Sequence, residues 1–91
     1  MKPVVWKFHI PLYAGPYQLS VPSECKVLSL QVQQELLALW CLVDEASPDE
    51  DRRVCVVHTG QAVPLGSCPK HLGTVQVTDG YVVHVFGEAS F

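Results

Sequence analysis

This sequence lacks a basic cluster. Its six Lys and Arg residues are scattered except at Arg52 and Arg53, and the net charge is −3, so nothing gathers the positive charge that neutralising nucleic-acid phosphates requires. It also lacks an unbroken apolar run of roughly 18 residues, which excludes a helical membrane span. Pro11 interrupts the N-terminal segment before a signal-peptide core can form, and the expectation is a cytoplasmic protein. No Cys-x-x-Cys pair is present: Cys25, Cys41, Cys55 and Cys68 lie a dozen or more residues apart, which reads as buried free thiols rather than a zinc site. No glycine-rich loop opens onto Lys-Ser or Lys-Thr, so a phosphate cradle is absent too. The expectation is a protein with no metal and no cofactor.

What the chain has is apolar residues, 48% against 16% charged, in 91 positions. That composition folds, and the length fits one domain over residues 1–91. The longest apolar segment, Lys26 to Asp44, is the centre of the expected core. From Lys26 to Gln33 it alternates, with Leu28, Leu30 and Val32 on one face and Ser29, Gln31 and Gln33 on the other. A two-residue turn at Gln34 and Glu35 would set Val32 against Leu37, Leu30 against Leu39 and Leu28 against Cys41. The opposite face would then carry Val27, Trp40 and Leu42. The rival is a helix over about residues 33–46, where good helix formers and apolar residues at three- and four-residue spacing would make the class α+β.

The remaining chain alternates in short runs. Val4 to Leu12 puts Trp6, Phe8, Ile10 and Leu12 on one face and Lys7 and His9 on the other; Tyr17, Leu19 and Val21 follow in a second run, and the two are expected to pair as a hairpin. An acidic loop within Asp44 to Asp51 reads as a solvated connection, or more sharply as a spot that meets a basic partner. Arg52 to Thr59 resumes as a strand expected beside the one before that loop. Gly60 to Leu72 is an irregular connection, and Thr74 to Phe86 is a hairpin turning at Asp79-Gly80, with Val77 facing Val82 and Val75 facing His84.

Of the four histidines, His84 fits a core-edge position with one hydrogen bond, and His9 falls on a wet face. His58 is the most site-like, where a strand enters the long loop. An irregular loop leaving a rigid strand exposes backbone groups, so the candidate ligand or partner site is His58, Thr59, Gly60 and Pro64, with Trp40 as a separate surface candidate. Cys68 and His71 share a loop, but no orienting third group or family signature accompanies them. A catalytic set would require His58 with Cys68 or His84 around one pocket, and no residue pattern names a reaction; the expectation is not an enzyme.

The N-terminal strand ending near Pro11, LSLQVQ at Leu28 to Gln33, LWCLVD at Leu39 to Asp44, HTGQAVP at His58 to Pro64, LGTVQ at Leu72 to Gln76 and VVHVF at Val82 to Phe86 carry a resemblance. The chain resembles, over nearly its whole length, a family of small β-rich proteins encoded by tailed phages and prophages. Family members often carry Asn-Gly where this chain has Gln34 and Glu35. The resemblance favours strands on both sides of that turn, and implies an accessory protein made in the host cytoplasm that acts by non-enzymatic binding, as an inhibitor of a host protein. The alternative is an oligomer that sequesters a small ligand at the loop of residues 58–64.

The expected fold is therefore all-β: six to seven antiparallel strands in consecutive hairpins, forming a small sandwich or open barrel. The surface left by Trp40, Leu42 and Val27 is costly to keep wet, by several kcal/mol for the Trp alone at about 25 cal/mol per Å², and this leads to the expectation of a homodimer.

Overall fold

The computed structural model describes residues 2–77 and 80–91. Among the described residues there are seven strands and no helical element: β1 (Val4–Pro11), β2 (Gly15–Pro22), β3 (Cys25–Gln33), β4 (Leu36–Val43), β5 (Asp49–His58), β6 (Lys70–Gln76) and β7 (Val82–Gly87). They form two antiparallel sheets, one ordered β1-β4-β3 and the other β2-β5-β7-β6. The fold is all-β, as the alternation implied, and the two sheets stack as an open sandwich. The rival helix over 33–46 is replaced by the turn and β4.

Strand order follows from how many faces each strand must bury. β4 reads Leu-Leu-Ala-Leu-Trp-Cys-Leu-Val, apolar at every position, and such a strand belongs at the centre of a sheet. It is flanked by β1 and β3, with Trp6 opposite Cys41 and Ile10 opposite Leu37 on one side, Leu30 opposite Leu39 on the other. β5 plays the same part in the second sheet, between β2 and β7. Two expected pairings are thereby corrected. β1 does not pair with β2, nor β4 with β5; in both cases the short connection crosses from one sheet to the other. Only β3–β4 and β6–β7 are local hairpins.

The acidic run is shorter as a loop than expected, because Asp49 to Asp51 already pair with Ser20 to Pro22. Within the remainder, Asp44 accepts the Ala46 amide at 3.0 Å, and Ser47 Oγ donates to the Asp44 carbonyl at 2.7 Å. Arg52, expected at the start of the strand, is buried inside it, 3% exposed. Its guanidinium donates to Glu50 at 2.7 Å and to the Ser23 carbonyl at 2.5 Å, and lies 5.2 Å from the centre of the Phe91 ring.

The core is built from Ile10, Leu30, Leu37, Leu39, Cys41 and Val43 on one sheet and Val54, Val56, Val83 and Val85 on the other. Phe8 and Leu12 pack against it as predicted, while Trp6, in the same phase, is 37% exposed at the sheet edge. At the far edge, β3 and β6 come so close that a Cβ on Gly73 would stand 2.7 Å from the Leu30 Cβ. Glycine at 73 lets that side of the sandwich close.

A bulge in β3 and an offset in the last hairpin displace the expected registers. In β3 the register shifts between Val27 and Ser29, so Leu28 becomes the extra residue, is 50% exposed, and does not face Cys41. Val27 takes that place and packs on the core, which corrects its assignment to the outer surface. In the last hairpin Thr74, not Val75, faces His84, and Gln76, not Val77, faces Val82. The Val77 amide instead donates to the Tyr81 carbonyl at 2.9 Å. Asp79 of the expected Asp79-Gly80 turn lies outside the described residues.

The β3–β4 turn is the tight one. Gln34 and Glu35 have φ of 52° and 66°, the left-handed pair that a primed two-residue hairpin demands and that non-glycine residues adopt at a cost. Replacing them together, Gln34→Asn with Glu35→Gly, removes that cost. The double variant is expected to be more stable by about 1 kcal/mol, a rise in melting temperature of roughly 4–8 °C for a domain of this size. Differential scanning calorimetry measures it, and an unchanged or lower midpoint would show that the turn is not strained.

Candidate functional site

β5 is apolar on its second face as well. Val54 and Val56 point to the core, and Cys55 and Val57 point outward, yet these two are only 5% and 7% exposed. The segment from Thr59 to Pro69 covers them. It leaves the strand through Gly60, at φ 93°, with the Gln61 amide donating to the His58 carbonyl at 3.0 Å and Gln61 Oε1 accepting the His58 amide at 2.7 Å. It then folds back in a turn where the Ser67 and Cys68 amides donate to the Pro64 carbonyl at 3.1 and 2.9 Å. Cys68 is fully buried, its sulfur 3.5 Å from that of Cys55. β6 begins at Lys70, so the connection is shorter than the expected Gly60 to Leu72.

Between this loop and Ala14 to Pro16 at the start of β2 lies a groove of about 500 Å³. Cys55 and Val57 form its floor, Ala62, Val63 and Pro64 one wall, and Arg53 stands at its side. Among the described residues no carboxylate pairs with the Arg53 guanidinium; the ion pair present is Arg52 with Glu50.

His58, Thr59 and Gly60 come together at the strand end, around a hollow of about 190 Å³ that Gln61, Val63, His84 and Phe86 also line. Pro64 borders the larger groove beside it. Trp40 belongs elsewhere, on the outer face of the other sheet, half-buried beneath the Lys7 ammonium at 5.5 Å from its ring centre. Lys7 reaches on across β4 to Gln33 Oε1 at 2.6 Å.

The catalytic set that would join His58 with Cys68 or His84 does not assemble. His58 is in phase with Val54 and Val56, opposite Val83, so its ring lies on the core side and meets the Tyr81 ring at a tilt, with centres 5.6 Å apart. His84 and Cys68 lie on the outward side. Nor do Cys68 and His71 pair: the thiol meets Cys55, and the His71 ring bonds Thr74.

His84 departs from the expected single hydrogen bond. Its Nε2 is 2.9 Å from Thr59 Oγ1 and its Nδ1 is 2.9 Å from Thr74 Oγ1, and Thr74 Oγ1 is in turn 2.8 Å from His71 Nε2. Thr59, His84, Thr74 and His71 thus form one hydrogen-bonded row that runs from the loop after β5 across β7 to β6. Thr74 and His71 were missed from sequence because residues three apart on a regular strand face opposite ways. The register shift between His71 and Gly73 returns them to one face.

The buried thiols are electrostatically constrained. Burial pushes Cys55 up from 9.0 to about 11, with the Cys68 hydrogen bond adding to it. Burial likewise raises Cys41, and neighbouring Cys25 raises it further. Both thiols hold their protons longer folded than unfolded; the contribution of Cys55 to stability is complete below about pH 9 and is lost as the pH rises toward 11, and that of Cys41 falls away over a wider range. Urea denaturation at pH 8.5 and 10.5 is expected to show that fall, and a shallower one in Cys55→Val. Equal falls in both proteins would contradict it.

No curated protein and no solved structure matches this chain. The family model described as "Domain of unknown function (DUF7352)" matches residues 1–91. On that match, which spans both sheets, the groove and the histidine row, the chain belongs to the DUF7352 family.

Proposed function

We propose that this protein acts by binding rather than by turnover, as an accessory protein of a tailed phage or prophage, and that the groove beneath the Thr59 to Pro69 loop takes a small, mainly apolar ligand carrying a negative charge. The observation that carries this reading is the groove itself. Its volume of about 500 Å³ falls in the range of small-molecule sites, roughly 300–1,000 Å³. Its floor is the central strand of a sheet, which keeps it pre-formed, and its walls are apolar with one cation, Arg53, with which no carboxylate among the described residues pairs, to orient an acid. Such a site suits sequestration.

Solvent extraction of the purified protein followed by mass spectrometry is expected to release one anionic small molecule at close to one per chain. Ala62→Trp, which fills the groove from an exposed position, should release none while melting normally. A protein that carries no molecule, or an Ala62→Trp variant that carries as much as the parent, would remove the groove from consideration.

A second reading concerns the outer face of β1-β4-β3 as a protein-contact surface, for a second copy or a host protein. It is supported by Val5, 55% exposed, which lies opposite half-buried Leu42 beside Trp40. Lys7 over Trp40 covers part of that face and lowers the gain from association. Sedimentation of the parent at tens of micromolar is expected to give a homodimer and of Trp40→Asp a monomer. A monomeric parent would exclude self-association through this face.

A further inference from the structure

We infer that Cys55 and Cys68 form a peroxide-responsive disulfide site, which ties the Thr59 to Pro69 loop to the strand beneath it. The two sulfurs are 3.5 Å apart and come from separate segments, one from the central strand β5 and one from the loop docked on it. A disulfide needs about 2.0 Å, so each sulfur has to move by less than ~1 Å to meet the other. The loop can supply that movement. Cys68 lies outside the strand ladders, held through its own amide and that of Ser67 to the Pro64 carbonyl.

Access makes the two thiols unequal. Cys55 lines the groove and is 5% exposed, whereas Cys68 is fully buried. Hydrogen peroxide entering a space of about 500 Å³ therefore meets Cys55 first, without the loop lifting. The Cys55 thiolate attacks one peroxide oxygen and the O–O bond breaks; Cys55 becomes a sulfenic acid, and the departing hydroxide takes up the proton the thiol gave, as water. Cys68 then attacks the Cys55 sulfur, the S–O bond breaks, and the hydroxyl leaves with the Cys68 proton as a second water. Two thiols and one peroxide thus give one disulfide and two waters, with two electrons passing from sulfur to oxygen.

The surroundings set the rate. Across the ladders Cys55 lies opposite Pro16 on β2 and Phe86 on β7, and the charged group beside it is Arg53 on its own strand. Burial and the Cys68 contact outweigh that cation and hold the Cys55 thiol up at about 11. Little thiolate is therefore present at neutral pH, and the bridge forms under sustained peroxide rather than at trace levels. In a reducing compartment the two thiols are the resting form. Once the bridge is made, the groove wall at Ala62 to Pro64 is anchored covalently to the groove floor. Slower ligand exchange is a consequence that rests on the groove reading; the bridge itself does not.

Hydrogen peroxide added to the full chain, followed by blocking of free thiols in denaturant and peptide mapping, tests the assignment. The expected product has lost two hydrogens, links Cys55 to Cys68 and is restored by dithiothreitol. Its melting temperature is expected to rise by about 10 °C, the effect of closing a loop of this length in the unfolded chain. The rate of bridging should increase about tenfold from pH 7 to pH 8, with the thiolate fraction. Cys68→Ala should leave Cys55 as a sulfenic acid that a 1,3-dione captures, and Cys55→Val should leave Cys68 unmodified. Both thiols still free in the parent after Cys25 has reacted, a bridge from either of them to Cys25 or Cys41, or capture at Cys68 in Cys55→Val would overturn the inference.

Discussion

Burial of both faces of β5 is the constraint on which the rest of this structure depends. A strand in a two-layer sandwich normally keeps one face wet, but here Cys55 and Val57 are as well buried as Val54 and Val56. The sheet cannot cover its own outside, so the chain after Gly60 turns back across it and sinks Cys68 against Cys55. Once that loop is docked, the space it leaves beside Ala14 to Pro16 becomes the groove, and the end of β5 is fixed close enough to β7 for Thr59 to reach His84. Covering an apolar strand face and shaping the candidate site are one event.

The same reasoning explains what the sequence revealed about the fold. Alternation located the strands, and the match between the apolar faces of β3 and β4 set their register correctly for Ser29 to Gln33 against Leu36 to Trp40. Which strands pair was harder to see, because chain proximity was taken as the guide for β1 with β2 and β4 with β5. Pairing is instead decided by burial. The two strands apolar on both faces each need neighbours on both sides, and they take the centres of separate sheets. The uniformly apolar run of β4 carried that information, although the same run also permitted a helix.

The site was legible only in part. His58, Thr59, Gly60 and Pro64 were drawn from the strand–loop junction and do border the two hollows there, but the His58 ring turns to the core side. The histidine row was hidden by two local departures from regular pairing. The Val77 amide bonds the Tyr81 carbonyl in an offset register, so that Thr74 faces His84, and the extra residue at Leu72 brought His71 round to the same face. Bulges follow from how neighbouring strands must twist and pack, which a single alternating run does not encode. Trp40 was singled out for its size, yet a Lys on the next strand lies over it, a pairing fixed by the same unforeseen β1–β4 ladder.

The central claim is that the Thr59 to Pro69 loop is a docked part of the fold rather than a surface tether, since the groove has no wall otherwise. Native-state hydrogen exchange at the Cys68 amide, which donates to the Pro64 carbonyl at 2.9 Å, reads this directly. If the loop is docked by burial of Cys68 and the outer face of β5, that amide exchanges with an opening free energy close to that of the β5 core amides. Exchange at the rate of an unstructured peptide, while the β5 amides remain protected, would contradict the account.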